Sequence, residues 1–302
     1  MYYNKNMRVK YDGIWCHIEC DEKYTLEEFC EMWSIPGRRM NLMIQMKKAL
    51  LDGKHMTLKD SLYQKILSLC LFEEEEIDYV CDDFAAEVVY EDQFVLVVNK
   101  PAGIIIHEDD KQKHGTLNNR VAEYYRKTCQ KHAIRPVHRL DKETSGCVMY
   151  CKSPWIQSYF DAAIEKKEIH RTYLAFVHGM ASFDSKTVKL AIGKDRHVNG
   201  KMRISKTGKE AVTHMKTVCH IPEKNMSVLK CSLQTGRTHQ IRLHTSALHL
   251  PIINDDLYGK KEPLVQSMGL CARKLEWKEP FTGKKCEAVA KLPEDLQRLF
   301  GK

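Results

Sequence analysis

No run free of Asp, Glu, Lys and Arg in this 302-residue chain exceeds 12 residues; the longest are 172–183 and 243–254. A membrane-spanning helix needs roughly 18–20 apolar residues, so no transmembrane segment is expected. The opening MYYNKNMRVKYDGIWCHIECDE lacks an apolar h-region and a small-residue cleavage site, and the chain is therefore expected in the cytoplasm. Its 12 cysteines include no C-x-x-C pair. Without a secretory signal they are expected as reduced thiols and not as a disulfide framework. The densest group of metal-ligating types, Cys16, His17 and Cys20, has neither a zinc-finger spacing nor a second pair nearby. Core cysteine is the preferred reading there, and no metal site is expected. Internal repeats and low-complexity tracts are also missing.

What is present is enough chain for one large domain and a smaller one, with an uneven charge. The 48 Lys+Arg and 40 Asp+Glu give a formal net charge of +8. Residues 1–90 hold 11 basic and 17 acidic residues, net −6, and residues 91–302 hold 37 and 23, net +14. Within the second part, residues 186–216 carry 9 basic and 2 acidic side chains. Such a basic ribbon suits a phosphate-binding surface, because cations release counterions condensed on nucleic acid. A solvated hairpin with ordinary surface lysines fits the same composition. Residues 66–90 are acidic, with Glu73 to Glu76, Asp78, Asp82, Asp83 and Glu87 and no Lys or Arg. They read as a solvated linker that would repel RNA, which sets a domain boundary near residue 85.

Apolar spacing over 24–51 predicts two short helices separated by Pro36 and Gly37. DGKHMTL reads as a turn into a strand, and YQKILSLCLF as a strand or short helix. From residue 88 two strand-like runs are hinged at Lys100-Pro101-Ala102-Gly103, and Thr116 opens a helix. GCVMYC is strand-like. Ser153-Pro154 reads as an N-cap with proline at the first helical position. HRTYLAFVHG, EAVTHMKTVCHI and MSVLKCSLQT read as strands, Thr238 to Leu250 as a helix capped by Thr238, and residues 293–300 as a last helix. Strands interleaved with a few helices, without regular alternation, predict an α+β fold on a mixed, largely antiparallel sheet.

The most informative stretch is Arg135 to Gly146, RPVHRLDKETSG. Asp141 lies in a loop between Arg139, Lys142 and a Thr144-Ser145-Gly146 turn. Cationic surroundings favour an ionised carboxylate, suited to a nucleophile or base; an Asp capping a turn through backbone amides has the same local signature.

The string HRLDKETSG closely resembles the catalytic motif of the RluA-like family of RNA pseudouridine synthases. VVNKPAGIIIH (97–107), RTYLAFVHG (171–179), GKEAVTHMK (208–216) and LQTGRTHQIRLH (233–244) resemble further motifs of that family, in order and at similar spacing. The resemblance covers roughly residues 87–300 and implies a catalytic domain over 85–302. It implies that Asp141 attacks the target uridine, at the anomeric carbon or on the pyrimidine ring. Arg139 would occupy the place vacated by the flipped nucleotide, Tyr173 would stack on the base and help remove the proton from carbon five, and Arg242 would pair with the catalytic carboxylate. Leu270 would form an apolar wall opposite Tyr173. Arg237 reads as an RNA contact or scaffold, and His138, His239 and Lys100 as orienting or structural. Isomerisation conserves every atom, so no cofactor is expected.

Two departures stand out. ALHLPIINDDLYG carries His249 or Leu250 and Asn254 where the family has glycines, and Leu270-Cys271-Ala272 replaces a leucine–histidine–alanine run. Asn tolerates positive φ, so Asn254 is expected to keep its turn. Residues 1–84 resemble the small αL-type RNA-binding domain that often precedes this catalytic domain, with Arg38, Arg39, Lys47, Lys48 and Lys54 as phosphate contacts. Their weak net charge also fits a unit kept for packing. The implied partner of the whole chain is structured RNA, ribosomal first and transfer RNA next, bound by a monomer. The competing reading is a non-catalytic RNA-binding or ribosome-assembly factor that retains the fold.

Overall fold

A computed structural model describes residues 7–109, 112–198 and 200–300. The chain begins with a hairpin, β1 (Met7–Asp12) and β2 (Trp15–Cys20), to which the sequence reading assigned no element. The two predicted helices follow as α1 (Leu26–Met32) and α2 (Gly37–Gln45), then β3 (Ala49–Leu51) and β4 (Lys65–Cys70). Helix α1 starts at a capping box in which Thr25 and Glu28 satisfy each other's backbone amides. Helix α2 ends at Gln45 because Lys47 takes a left-handed conformation, φ 57°, which turns the apolar residues 49–51 into a strand. The four strands form an antiparallel sheet in the order β1-β2-β4-β3. Along β2 the pleat buries Cys16, Ile18 and Cys20 on one face and turns His17 to the other, where it bonds Ser68 Oγ at 2.8 Å. His17 therefore points away from the two cysteines.

The second part supplies β5 (Glu87–Glu91), β6 (Val95–Lys100), α3 (Leu117–Lys127), β7 (Ser145–Cys151), α4 (Gln157–Glu165), β8 (His170–His178) and β9 (Ser185–Lys189). The short ribbon β10 (Ile192–Lys194) and β11 (Met202–Ile204) follows, then β12 (Val212–Ile221), β13 (Met226–Leu233), α5 (Gln240–Ala247), β14 (Leu270–Lys278), β15 (Lys285–Val289) and α6 (Glu294–Gln297). Nine strands form one sheet in the order β5-β6-β7-β14-β8-β13-β12-β9, with β15 on β14. Among the described residues its one parallel strand pairing is β7 with β14, so the fold is α+β on a mixed, largely antiparallel sheet, as the sequence predicts. None of the described helices is long and apolar enough to cross a membrane.

Four local expectations need correcting. DGKHMTL leads into no strand, since Leu51 and Lys54 pair across its turn and the next strand is β4. Residues 104–107 form no strand, because the carbonyls of Ile105 and Ile106 accept the Leu117 and Asn118 amides at the start of α3. Ser153 does not cap α4; the helix begins at Gln157, and Ser153 Oγ instead accepts the Trp155 amide at 3.3 Å. Helix α5 is preceded by His239 in a left-handed conformation, φ 58°, and not capped by Thr238. The Gln240 side chain closes that turn, accepting from the Arg237 amide at 3.0 Å and the Thr235 hydroxyl at 2.7 Å.

The acidic segment is not a solvated linker. It lies as an extended strap with Ile77, Tyr79 and Cys81 packed on the core beneath α3. Glu73 pairs with Lys48 at 2.6 Å, Glu74 with Lys131 at 2.8 Å, Glu75 with Arg135, and Asp82 with Arg120 at 3.5 Å. The N-terminal unit is equally well seated. Phe29 and Trp33 stack on each other and on Phe281, with centroids 4.6–6.1 Å apart, inside one apolar cluster that runs from Cys16 to Met149 and Trp277. Arg39 donates to the Pro154 carbonyl at 2.8 Å, and Lys48 also lies over the Trp155 ring. Two of the five cations read as phosphate contacts thus hold the unit to the segment after β7, while Arg38, Lys47 and Lys54 stay exposed.

Candidate active site

A cavity of about 440 Å³ opens where the loop before β7 meets the C-terminal end of β13 and the start of α5. Asp141, Tyr173, Arg242, Arg139, Arg237 and Leu270 all line it. Every site residue named from the sequence therefore converges on one cavity, from segments spread between Arg139 and Leu270.

The loop carrying Asp141 is fixed from beneath. Lys100, fully buried at the end of β6, donates to the carbonyls of Pro101 at 3.0 Å, Ile104 at 2.8 Å and Lys142 at 2.7 Å. Burial pulls its ammonium pKa down to about 7. The Gly103 amide donates to the same Lys142 carbonyl at 3.0 Å. The loop then enters β7 through Gly146, at φ 112°, where an added Cβ would lie 2.3 Å from the Ala272 carbonyl oxygen. Only glycine lets β14 approach this closely, and that approach carries Leu270 to the cavity wall.

Tyr173 comes from the middle of β8 and is buried; burial pushes its phenol pKa up, Arg171 opposes, and Asp141 adds to the rise. Arg242 projects from α5. Its Nε and Nη2 hold Asp255 in a bidentate pair, both at 2.7 Å, while Nη1 reaches Asp141 Oδ2 at 3.5 Å. Burial works against the guanidinium's charge, but Asp255 prevails and the pKa is raised. Helix α5 is itself anchored by Gln240, bonded to Val212 and Thr213, and by His244, bonded to Thr213 and Leu190.

Arg139 is exposed at the rim. Arg237 also lies at the rim, with Nε donating to the Glu210 carbonyl at 2.9 Å, which ties it to the chain leaving the basic ribbon. His138 accepts the Met149 amide at 3.3 Å, and burial pushes its pKa down to about 3; it orients the loop as a neutral ring. His239 stands closer to the chemistry than its structural reading implies, with Nε2 at 3.8 Å from Asp141 Oδ2.

Sequence reasoning missed Asp255, Tyr258 and Arg171. Asp255 Oδ1 accepts the Leu257 and Tyr258 amides as well as Arg242, and Arg171 lines the cavity beside Tyr173. The stretch NDDLYG held a signal, since it falls where the family's aspartate turn is expected. Asn254 does keep that turn, at φ 54°, and His249 likewise adopts φ 59° without a glycine.

The chain is similar to known proteins over most of its length. A family model described as RNA pseudouridylate synthase matches residues 94–247. An uncharacterized RNA pseudouridine synthase, YhcT of Bacillus subtilis, is 35% identical over 228 residues, covering 75% of this chain and 76% of the relative. A protein named ribosomal large subunit pseudouridine synthase D, from Neisseria meningitidis serogroup A, is 33% identical over 279 residues, covering 87% of this chain and 73% of the relative. Among solved structures, human RNA pseudouridylate synthase domain containing 1 superposes with a TM-score of 0.60 at 24% identity, over 71% of this chain and 87% of that one, a likeness of fold. With catalytic relatives on this scale, the reading as a non-catalytic factor gives way: the chain belongs to the RNA pseudouridine synthase family and is an isomerase that converts uridine in RNA to pseudouridine.

Proposed function

We propose that the enzyme modifies ribosomal RNA, with Asp141 as the nucleophile. The observation that carries this reading is the Asp141 carboxylate at the wall of a cavity shared with Tyr173 and Arg242. Isomerisation breaks the bond between the anomeric carbon and ring nitrogen one, joins that carbon to ring carbon five, and moves a proton from carbon five to the freed nitrogen. A base stacked in a helix offers none of these atoms, so the uridine must swing out, and Arg139 at the rim fills the gap it leaves. In the cavity, Tyr173 and Leu270 flank the base. Arg242, held by Asp255, keeps the nucleophile aimed while charge shifts around it.

The basic ribbon beside the cavity supplies cations for the RNA backbone, with Arg237 at its junction. Relatives named for the ribosomal large subunit support ribosomal over transfer RNA. The enzyme acts as a monomer in this reading, and a ribosomal substrate implies a cytoplasmic enzyme. The reaction as written needs neither metal nor cofactor. Residues 1–84 serve as an αL-type module, with Arg38, Lys47 and Lys54 free to meet phosphate.

Mapping pseudouridines in total RNA from cells with and without the gene tests the substrate. Loss of a ribosomal site is expected. Loss confined to transfer RNA, or no loss in any RNA, would overturn the ribosomal assignment.

A further inference from the structure

Tyr258 links the basic ribbon to His239 and Arg242 of the site. Its hydroxyl oxygen accepts the backbone amide of Met202, in strand β11 of the basic ribbon, at 2.8 Å. The same hydroxyl lies 2.9 Å from Nδ1 of His239. With its oxygen occupied by Met202, the hydroxyl proton is directed to Nδ1, which leaves the imidazole proton on Nε2, the nitrogen facing Asp141 Oδ2 at 3.8 Å. The ring of Tyr258 lies under the Arg242 guanidinium, 5.2 Å from centroid to carbon, and Lys201 of the ribbon sits 5.5 Å from the same centroid. An apolar knot of Ile192, Ala211 and Leu243, with Met202 and Tyr258 packed on it, seats the root of the ribbon on helix α5.

From this juxtaposition we infer that Tyr258 is a positioning residue that couples the basic ribbon to the catalytic carboxylate, so that RNA held by the ribbon sets the aim of Asp141 through His239. The inference rests on the RNA-directed reading of the ribbon given above and deepens it. The gap from His239 to Asp141 is longer than a hydrogen bond. A shift of about 1 Å in the ribbon, passed on by the Met202–Tyr258–His239 chain, would close it into a charge-assisted bond. The His239 backbone is already held at φ 58°, in the left-handed region, before the first turn of α5. A β-branched residue there would be strained, and the conformation is what aims the ring at Asp141 and Tyr258 together.

The test is a double-mutant cycle on the full chain, read as kcat and KM for tritium release from one structured ribosomal transcript. Tyr258→Phe keeps the ring against Arg242 and Lys201 and removes only the hydroxyl. It is expected to lower kcat about tenfold, the worth of the lost bond to His239, with KM little changed. Arg203→Ala with Lys206→Ala removes ribbon charge and is expected to raise KM and lower kcat in the wild-type background. In the Tyr258→Phe background the same pair is expected to raise KM alone. Independent kcat effects that multiply in the combined variant, or a Tyr258→Phe kcat equal to wild type, would overturn the coupling. Should Tyr258→Phe lose its cooperative melt, His239→Gln interrupts the same chain at its other end and carries the same expectations. A wild-type protein that releases no tritium from any RNA would instead sink the proposed function, and the two failures are thereby distinct.

Discussion

At the scale of single residues, the site depends on groups whose partners are set by the fold. Asp141, Tyr173 and Arg242, which line one cavity, could be named as candidates from the sequence because each sits in a long motif. Asp255 could not be derived in the same way. Its pairing with Arg242, 13 positions earlier, exists only because Asn254 turns left-handed and points the next carboxylate back at α5. Lys100 illustrates the reverse. Its place in a KPAG turn marks it as fold-defining, and the structure adds that its ammonium joins three carbonyls, one of them next to Asp141. Its lowered pKa has a consequence for stability. The unfolded chain keeps this proton up to the ordinary lysine value of 10.5, whereas the folded chain releases it near pH 7. The group's contribution is therefore fully present above about pH 10.5 and is lost as pH falls through about 7. Urea unfolding of wild type and Lys100→Met at pH 6.5, 8 and 9.5 should show the stability difference growing in favour of wild type as pH rises. A difference that is flat or shrinks would show that burial does not depress this pKa.

At the scale of elements, hydrophobic periodicity found most strands and helices, since alternation and 3.6-residue spacing report burial directly. It failed where polar partners decided the outcome. Residues 104–107 are as apolar as a strand, yet their carbonyls cap α3, and the acidic strap looks like linker until its cations are known. Those cations lie elsewhere in the chain, at Lys48, Lys131, Arg135 and Arg120, out of reach of local reading. The meeting of β7 and β14 is the element contact on which the site depends most, because it brings the Asp141 loop beside Leu270. Gly146→Ala should cost about 3 kcal/mol or more by thrusting a methyl into the Ala272 backbone. Gly13→Ala is the control: Gly13 also has positive φ, but open space surrounds it, so only the backbone penalty of about 1–2 kcal/mol applies. Equal losses in urea denaturation would remove the packing argument.

At the scale of the whole molecule, the division into a small acidic part and a large basic part holds as a description of charge, but the core ignores it. The cluster containing Phe29 and Trp33 continues into Phe94, Met149 and Phe281, so the N-terminal unit is seated on the sheet face opposite α3. The net charge of −6 on residues 1–90 is in part consumed by the strap's ion pairs, which individually contribute only about 0–1 kcal/mol where exposed. The apolar contact dominates. Trp33→Ala should lower the stability of the entire chain by about 3–5 kcal/mol, in a single thermal transition seen alike by far-ultraviolet and near-ultraviolet dichroism. An early, separate transition with the main midpoint unchanged would show two independent bodies.

The basic part, net +14, holds the cavity, and the Asp141 carboxylate proposed as the nucleophile reaches it from the loop before β7. The most direct measurement is tritium release from carbon-five-labelled uridine in an unmodified ribosomal transcript, comparing wild type with Asp141→Asn alongside an RNA-binding titration. Release by wild type, none by the variant and equal binding by both is the expected result. Release by Asp141→Asn at the wild-type rate would contradict the account at its centre.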